Sequence, residues 1–170
     1  MSKKDLENFL NQNIENTQAN VDWLYQRNEW LCYIEQFYDM VIKWLFRYIE
    51  RGKIQVIRQN ITLTEDNIGS YCTEKLILKL ANKEVSLTPI GTVLIGSKGR
   101  IDMSSSAGEV KFVLVEKDSK SPLTLNMDAS EKSANSVSLQ WKISTSPPSI
   151  KFLELNEESF SDALLEVLNV

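Results

Sequence analysis

Histidine is absent from all 170 residues. That absence excludes serine and cysteine hydrolases with a histidine base, histidine-ligated zinc and haem, and pH switching by an imidazole. Enzyme chemistry here would have to rest on carboxylates, lysine, serine, tyrosine or a hard cation such as Mg²⁺. Cysteine is nearly absent: Cys32 and Cys72 lie far apart and fit no metal-binding spacing. Cys32 falls inside a helical pattern, where a small free thiol is expected to be buried.

No apolar run reaches bilayer length. The longest, around 40–49, is interrupted by Lys43 and Arg47, so no membrane partner is expected. Met1-Ser2-Lys3-Lys4-Asp5 leads into no apolar run, so the expectation is no signal peptide and a cytoplasmic location with reduced thiols. A basic excess is also missing: 19 Lys and Arg against 23 Asp and Glu give a net charge of −4. Nucleic acid is therefore not expected as a direct ligand, since phosphate binding draws on surplus Lys and Arg.

What is present is an apolar stripe of unusual width. Trp23, Trp30, Phe37 and Trp44 recur every seven residues, beside Leu24, Leu31, Tyr38 and Leu45 and a third column of Ile34, Val41 and Tyr48. Seven-residue spacing keeps each column on one side of a helix. Residues 23–48 hold nine of the fifteen aromatic side chains, which concentrates the capacity for burial and for interface anchoring in one element. The spacing predicts a helix over 21–51, capped by Asn20 and stopped by Gly52. Such a helix would be about 47 Å long, against a diameter of roughly 40 Å for a compact body of this size.

Residues 4–14 read as a shorter amphipathic helix with Leu6, Phe9, Leu10 and Ile14 on one face. Residues 15–20 are polar. Either the chain breaks there into a helical hairpin, or a longer rod protrudes and pairs with another chain. The second half of the main helix, from Met40, is apolar almost all round and calls for cover on two sides.

Beyond Gly52 the period changes from helical to alternating. Strands are expected at 53–58, 74–81, 84–88, 92–96, 99–103, 109–116, 136–144 and 150–155, with short turns that favour antiparallel pairing. A long polar loop spans 117–135. A last helix over 157–168 presents Phe160, Leu164, Leu165 and Leu168, with Asn156 as its cap. The fold class is α+β: a helical segment over 1–52, an antiparallel β domain, barrel or sandwich-like, over 53–155, and a C-terminal helix over 156–170 packing on it.

Charge is uneven. Lys43, Arg47, Arg51, Lys53 and Arg58 face only Glu50, while Glu154, Glu157, Glu158, Asp162 and Glu166 have no basic residue among them. These are solvated faces or the two poles of a molecule that docks by charge.

One constellation carries potential chemistry. Gly99-Arg100-Ile101-Asp102, a short turn, then Glu109-Val110-Lys111 resembles the hairpin of PD-(D/E)xK nucleases over about 13 residues. The resemblance implies Mg²⁺ held by Asp102 and Glu109, with Lys111 activating water. The gap between Asp102 and Glu109 is short for that family, and no helix clearly follows Lys111. Gly91–Gly99 lacks the order of a phosphate-binding loop, and Ser104, Ser105 and Ser106 lack a base. The polar loops around 97–108 and 117–135 leave a carbohydrate or small-ligand site open.

The expectation is a non-enzymatic protein-interaction module, without a cofactor, self-associating or docking on a protein partner through Trp23, Trp30, Leu31, Phe37, Tyr38 and Trp44. Small acidic helix-plus-sheet proteins of this character include accessory, inhibitor and immunity subunits of bacterial or phage conflict systems, by analogy alone. The alternative is the Mg²⁺-dependent nuclease with Asp102, Glu109 and Lys111.

Overall fold

Between Lys3 and Glu50 the chain contains neither glycine nor proline, and it forms one helix, α1 (Lys3–Glu50), of 48 residues. At 1.5 Å per residue that is about 72 Å. The computed structural model describes residues 3–66, 68–92, 97–121 and 138–170, with 11–22 described by backbone alone. The hairpin break at 15–20 does not occur. Asn, Thr and Gln each cost well under 1 kcal/mol in a helix interior, which two flanking helical runs can absorb, whereas proline costs ~3 kcal/mol. Polarity is not a stop signal; geometry is. The true stop is Gly52, whose φ of 73° closes a Schellman motif. Its N–H donates to Ile49 O at 3.1 Å, and Lys53 N–H donates to Tyr48 O at 2.8 Å.

Among the described residues seven strands follow: β1 (Ile54–Glu65), β2 (Gly69–Leu80), β3 (Lys83–Gly91), β4 (Gly99–Ser104), β5 (Glu109–Glu116), β6 (Leu139–Ser144) and β7 (Phe152–Glu154). Each pairs antiparallel with the next, in the spatial order β1 to β7. The sheet is a single open meander, so it is neither the barrel nor the sandwich expected from strand spacing; helices supply the second layer. β1 and β2 run further than their apolar stretches indicate. The distal half of β1 alternates Ile61 and Leu63 with threonines, which suit a pleated surface, and it pairs with the distal half of β2 in register from Ile61↔Thr73 to Glu65↔Gly69. The strand expected at 92–96 falls largely on 93–96, outside the described residues, as does most of the polar loop, at 122–137.

The inner face of the sheet is set by alternation: Val85 and Leu87, Ile101 and Met103, and Val110, Phe112 and Leu114 are buried. Against them pack Trp30, Ile34, Phe37, Tyr38, Val41 and Leu45 of α1, together with helix α2 (Glu157–Leu168). α2 starts with a capping box: Asn156 Oδ1 accepts from Ser159 N–H, and Ser159 Oγ accepts from Asn156 N–H, both at 2.8 Å. Phe160, Ala163, Leu164, Val167 and Leu168 face the core, while Leu165 faces outward, contrary to the sequence expectation. At its C-terminal end Lys83 Nζ donates to Leu168 O at 2.8 Å and Ser105 Oγ donates to Val167 O. This gives one of the clustered serines a role in helix capping. Among the described residues no helix is long and apolar enough to cross a membrane.

Candidate interaction surface and outer-face cluster

Three of the six residues expected at an interface are consumed by the chain's own core. Trp30, Phe37 and Tyr38 are at most 2% exposed. Phe37 sits 5.0 Å, centroid to centroid, from both Phe112 and Trp141, and Trp141 lies 5.9 Å from Trp30. Leu31 and Trp44 are half-buried against that cluster, Trp44 stacking on Phe160 at 5.6 Å, and Trp23 is half-buried too. An intact fold cannot offer Trp30, Phe37 and Tyr38 to a partner. Cys32 is exposed, not buried, because two residues beyond Trp30 is about 200° around the helix and so faces away from the sheet.

The buried aromatics carry polar atoms, and each finds a partner. Trp30 Nε1 donates to Tyr71 Oη at 3.1 Å, and Tyr71 Oη donates to Glu65 Oε2 at 2.5 Å. Glu65 Oε1 accepts from Thr92 N–H at 2.7 Å and Thr92 Oγ1 at 2.8 Å. Gly91, with φ of 153°, leaves room for that carboxylate: a Cβ there would lie 3.0 Å from Oε1. Burial, then Glu65, pushes the Tyr71 hydroxyl well above its ordinary pKa. Tyr38 Oη donates to Glu74 O at 2.6 Å, and burial likewise raises its pKa. Trp141 Nε1 donates to Tyr33 O at 3.1 Å. Nothing in the sequence pattern announces this relay, because its members lie on α1, the tips of β1 and β2, and the segment after β3.

α1 leaves apolar side chains uncovered toward both of its ends. Leu6, Phe9, Leu10, Leu24 and Tyr25 are between 45% and 69% exposed before Trp30, and Phe46 and Tyr48 are 56% and 48% exposed near the C-terminal end. Among residues 30–45 the outward positions are Cys32 and the polar Glu35, Gln36, Asp39 and Lys43. Among the described residues, most of the exposed large apolar side chains of α1 therefore lie on the N-terminal arm.

The nuclease-like hairpin forms as β4 and β5. Asp102 lies directly across from Lys111 and Ser104 across from Glu109, so Asp102, Glu109 and Lys111 share the outer sheet face with Arg100. Asp102 is already engaged by Arg100. Nε approaches Oδ1 at 2.9 Å as an ion pair without hydrogen-bond alignment, and Nη2 donates to Oδ2 at 3.3 Å. Burial raises the Asp102 pKa and Glu109 adds to it, against the opposing pull of Arg100 and Lys111. Glu109 and Lys111, but not Asp102, line a cavity of about 440 Å³ with Ser144, Pro147 and Ile150. Among the described residues no group of three or more Asp, Glu, Cys or His side chains converges as a metal-ligand set.

Further along the outer face, Val113, Val115 and Phe152 form a small second core. Lys142 is buried beside them, its Nζ donating to Lys117 O at 2.7 Å and Ser119 O at 2.6 Å. The five acids of 154–166 are exposed, and Glu157 and Glu158 occupy the first turn of α2, where negative charge favours the helix.

Comparison with protein families, curated proteins and solved structures finds no match to this chain.

Proposed function

We propose that this chain is a non-enzymatic protein-interaction module, of the accessory, inhibitor or immunity type found in bacterial or phage conflict systems, docking through α1. The docking surface is the arm over residues 3–29, not the later aromatic columns. The observation that supports this is the exposure of Leu6, Phe9, Leu10, Leu24 and Tyr25 on a helix whose core-packed residues begin only at Trp30. Apolar surface gathered on one projecting element costs solubility unless a partner covers it. The assignment to conflict systems rests on size, acidity and helix-plus-sheet character alone.

The test is a photo-crosslinking residue placed at Tyr25, with a second placed at Glu158 as control, in the full chain in its native host. A protein adduct at Tyr25 and not at Glu158 is the expected result. Equal labelling, or none at Tyr25, would overturn the reading.

A second reading, the Mg²⁺-dependent nuclease, is favoured by one observation: Asp102, Glu109 and Lys111 share a face. It requires Asp102 to leave Arg100. Mg²⁺-dependent cleavage of DNA or RNA that is lost in Asp102→Ala and Lys111→Ala supports it; no cleavage by the intact chain ends it.

A further inference from the structure

We infer that the arm of α1 pairs with a second copy of this chain as a short, parallel, two-stranded coiled coil. This rests on the interaction reading above and names its partner. Along the sequence, Leu10, Ile14, Thr17, Val21, Leu24, Asn28 and Leu31 follow one another at alternating spacings of four and three. Only one heptad register fits. It puts Ile14, Val21 and Asn28 at a, and Leu10, Thr17, Leu24 and Leu31 at d. β-branched residues at a with Leu at d favour two parallel strands, and one Asn at an a position fixes register and strand number. The helix that would carry this seam is continuous over its whole length.

The described ends of the seam agree with it. Leu10 and Leu24 are about half exposed, and Asn28 is exposed. Leu31 is half-buried where the seam meets the body. The next a position is Glu35, exposed and held by Arg58 of β1 at 3.0 Å. Two copies would bring two such carboxylates together, so the seam closes there. The core-facing line of Trp30, Ile34, Phe37 and Val41 lies about a third of a turn away, at 100° per residue. The sheet and a second helix therefore occupy different sides of α1.

Leu10, Leu24 and Tyr25 are described apolar side chains that a second helix would cover, and a seam this short stands at or below the low end of specific interfaces, roughly 1,200 Å², as suits a reversible dimer.

Sedimentation equilibrium of the full chain from about 1 to 200 μM tests it. The mass should rise from 19.5 kDa toward twice that value, and Leu24→Asp should weaken association at least ~100-fold with unchanged circular dichroism. A Leu10→Cys chain in a Cys32→Ser, Cys72→Ser background should oxidise to a disulfide dimer, because d positions of parallel strands face each other. A monomer at every concentration overturns the inference. So does a dimer indifferent to Leu24→Asp, or one that fails to cross-link through position 10. A monomer that still gives a foreign adduct at Tyr25 sinks this inference and leaves the interaction reading standing.

Discussion

A Cβ on Gly99 would stand 2.3 Å from Cζ3 of Trp30 and 2.7 Å from its Cε3, so the indole lies flat against a backbone that has no side chain to give way. Trp30 is at the same time hydrogen-bonded to Tyr71 and packed on Trp141, which leaves the ring no free direction. Gly99→Ala should therefore destabilise the fold by about 1–3 kcal/mol, the ordinary cost of overpacking. Urea unfolding measures it, and an unchanged midpoint would show that the indole moves aside.

Tyr71 links Trp30 to Glu65. Tyr71→Phe leaves the indole N–H and one carboxylate oxygen without that partner and should cost about 1–3 kcal/mol, the penalty of stranded buried polar groups. Thr92→Val, which removes only one donor to Glu65 Oε1, should cost less.

Stability should also fall in alkali. The folded state holds Tyr38 and Tyr71 neutral well above the ordinary tyrosine pKa of 10.0. Their contribution is complete below pH 10 and drains away above it, as the unfolded chain ionises first. Thermal midpoints measured from pH 8 to 11 should be level and then drop, with a shallower drop in Tyr71→Phe.

Asp102 follows the same sign in the acid range. Its pKa is raised, so its ionised form is disfavoured in the fold, and any stabilisation it gives is present in acid and lost as pH rises through its folded pKa. Asp102→Asn should equal or exceed the parent in stability at pH 7, with the advantage shrinking as pH falls toward 4. A clear loss at pH 7 would show that the Arg100 pairing outweighs the cost of burial.

Lys142 ties the segment after β5 to the sheet through Lys117 O and Ser119 O. Lys142→Met should leave the main core intact while speeding hydrogen exchange at 117–121. Equal exchange in both proteins would show that Phe152, whose N–H bonds Lys120 O, holds the segment unaided.

The sequence made some of this fold legible and hid the rest for physical reasons. Seven-residue columns located the core face of α1, because periodicity reports which side is buried. They could not say what buries it, so Trp30, Phe37 and Tyr38 read equally well as interface. The polar run at 15–20 looked like a break, but a helix without glycine or proline passes through polar residues at small cost. Alternation marked β3 to β5 well; the threonine-rich end of β1 and the mixed Gly69–Thr73 end of β2 did not stand out. Strand parity puts Glu109 and Lys111 on one face, whereas placing Asp102 with them took the β4–β5 register, and the grip of Arg100 took side-chain geometry. The Glu65–Tyr71–Trp30 relay joins residues up to 41 apart and left no local trace.

Because α1 runs without a breaker from its tip into the core, it behaves as a keyed shaft. Any partner that gripped residues 3–29 would be held at an azimuth dictated by how Phe37 and Val41 seat on the sheet. One residue inserted near position 17 would advance the tip by about 1.5 Å and swing it by about 100°, presenting the partner to a different flank of the body with every contact at either end preserved.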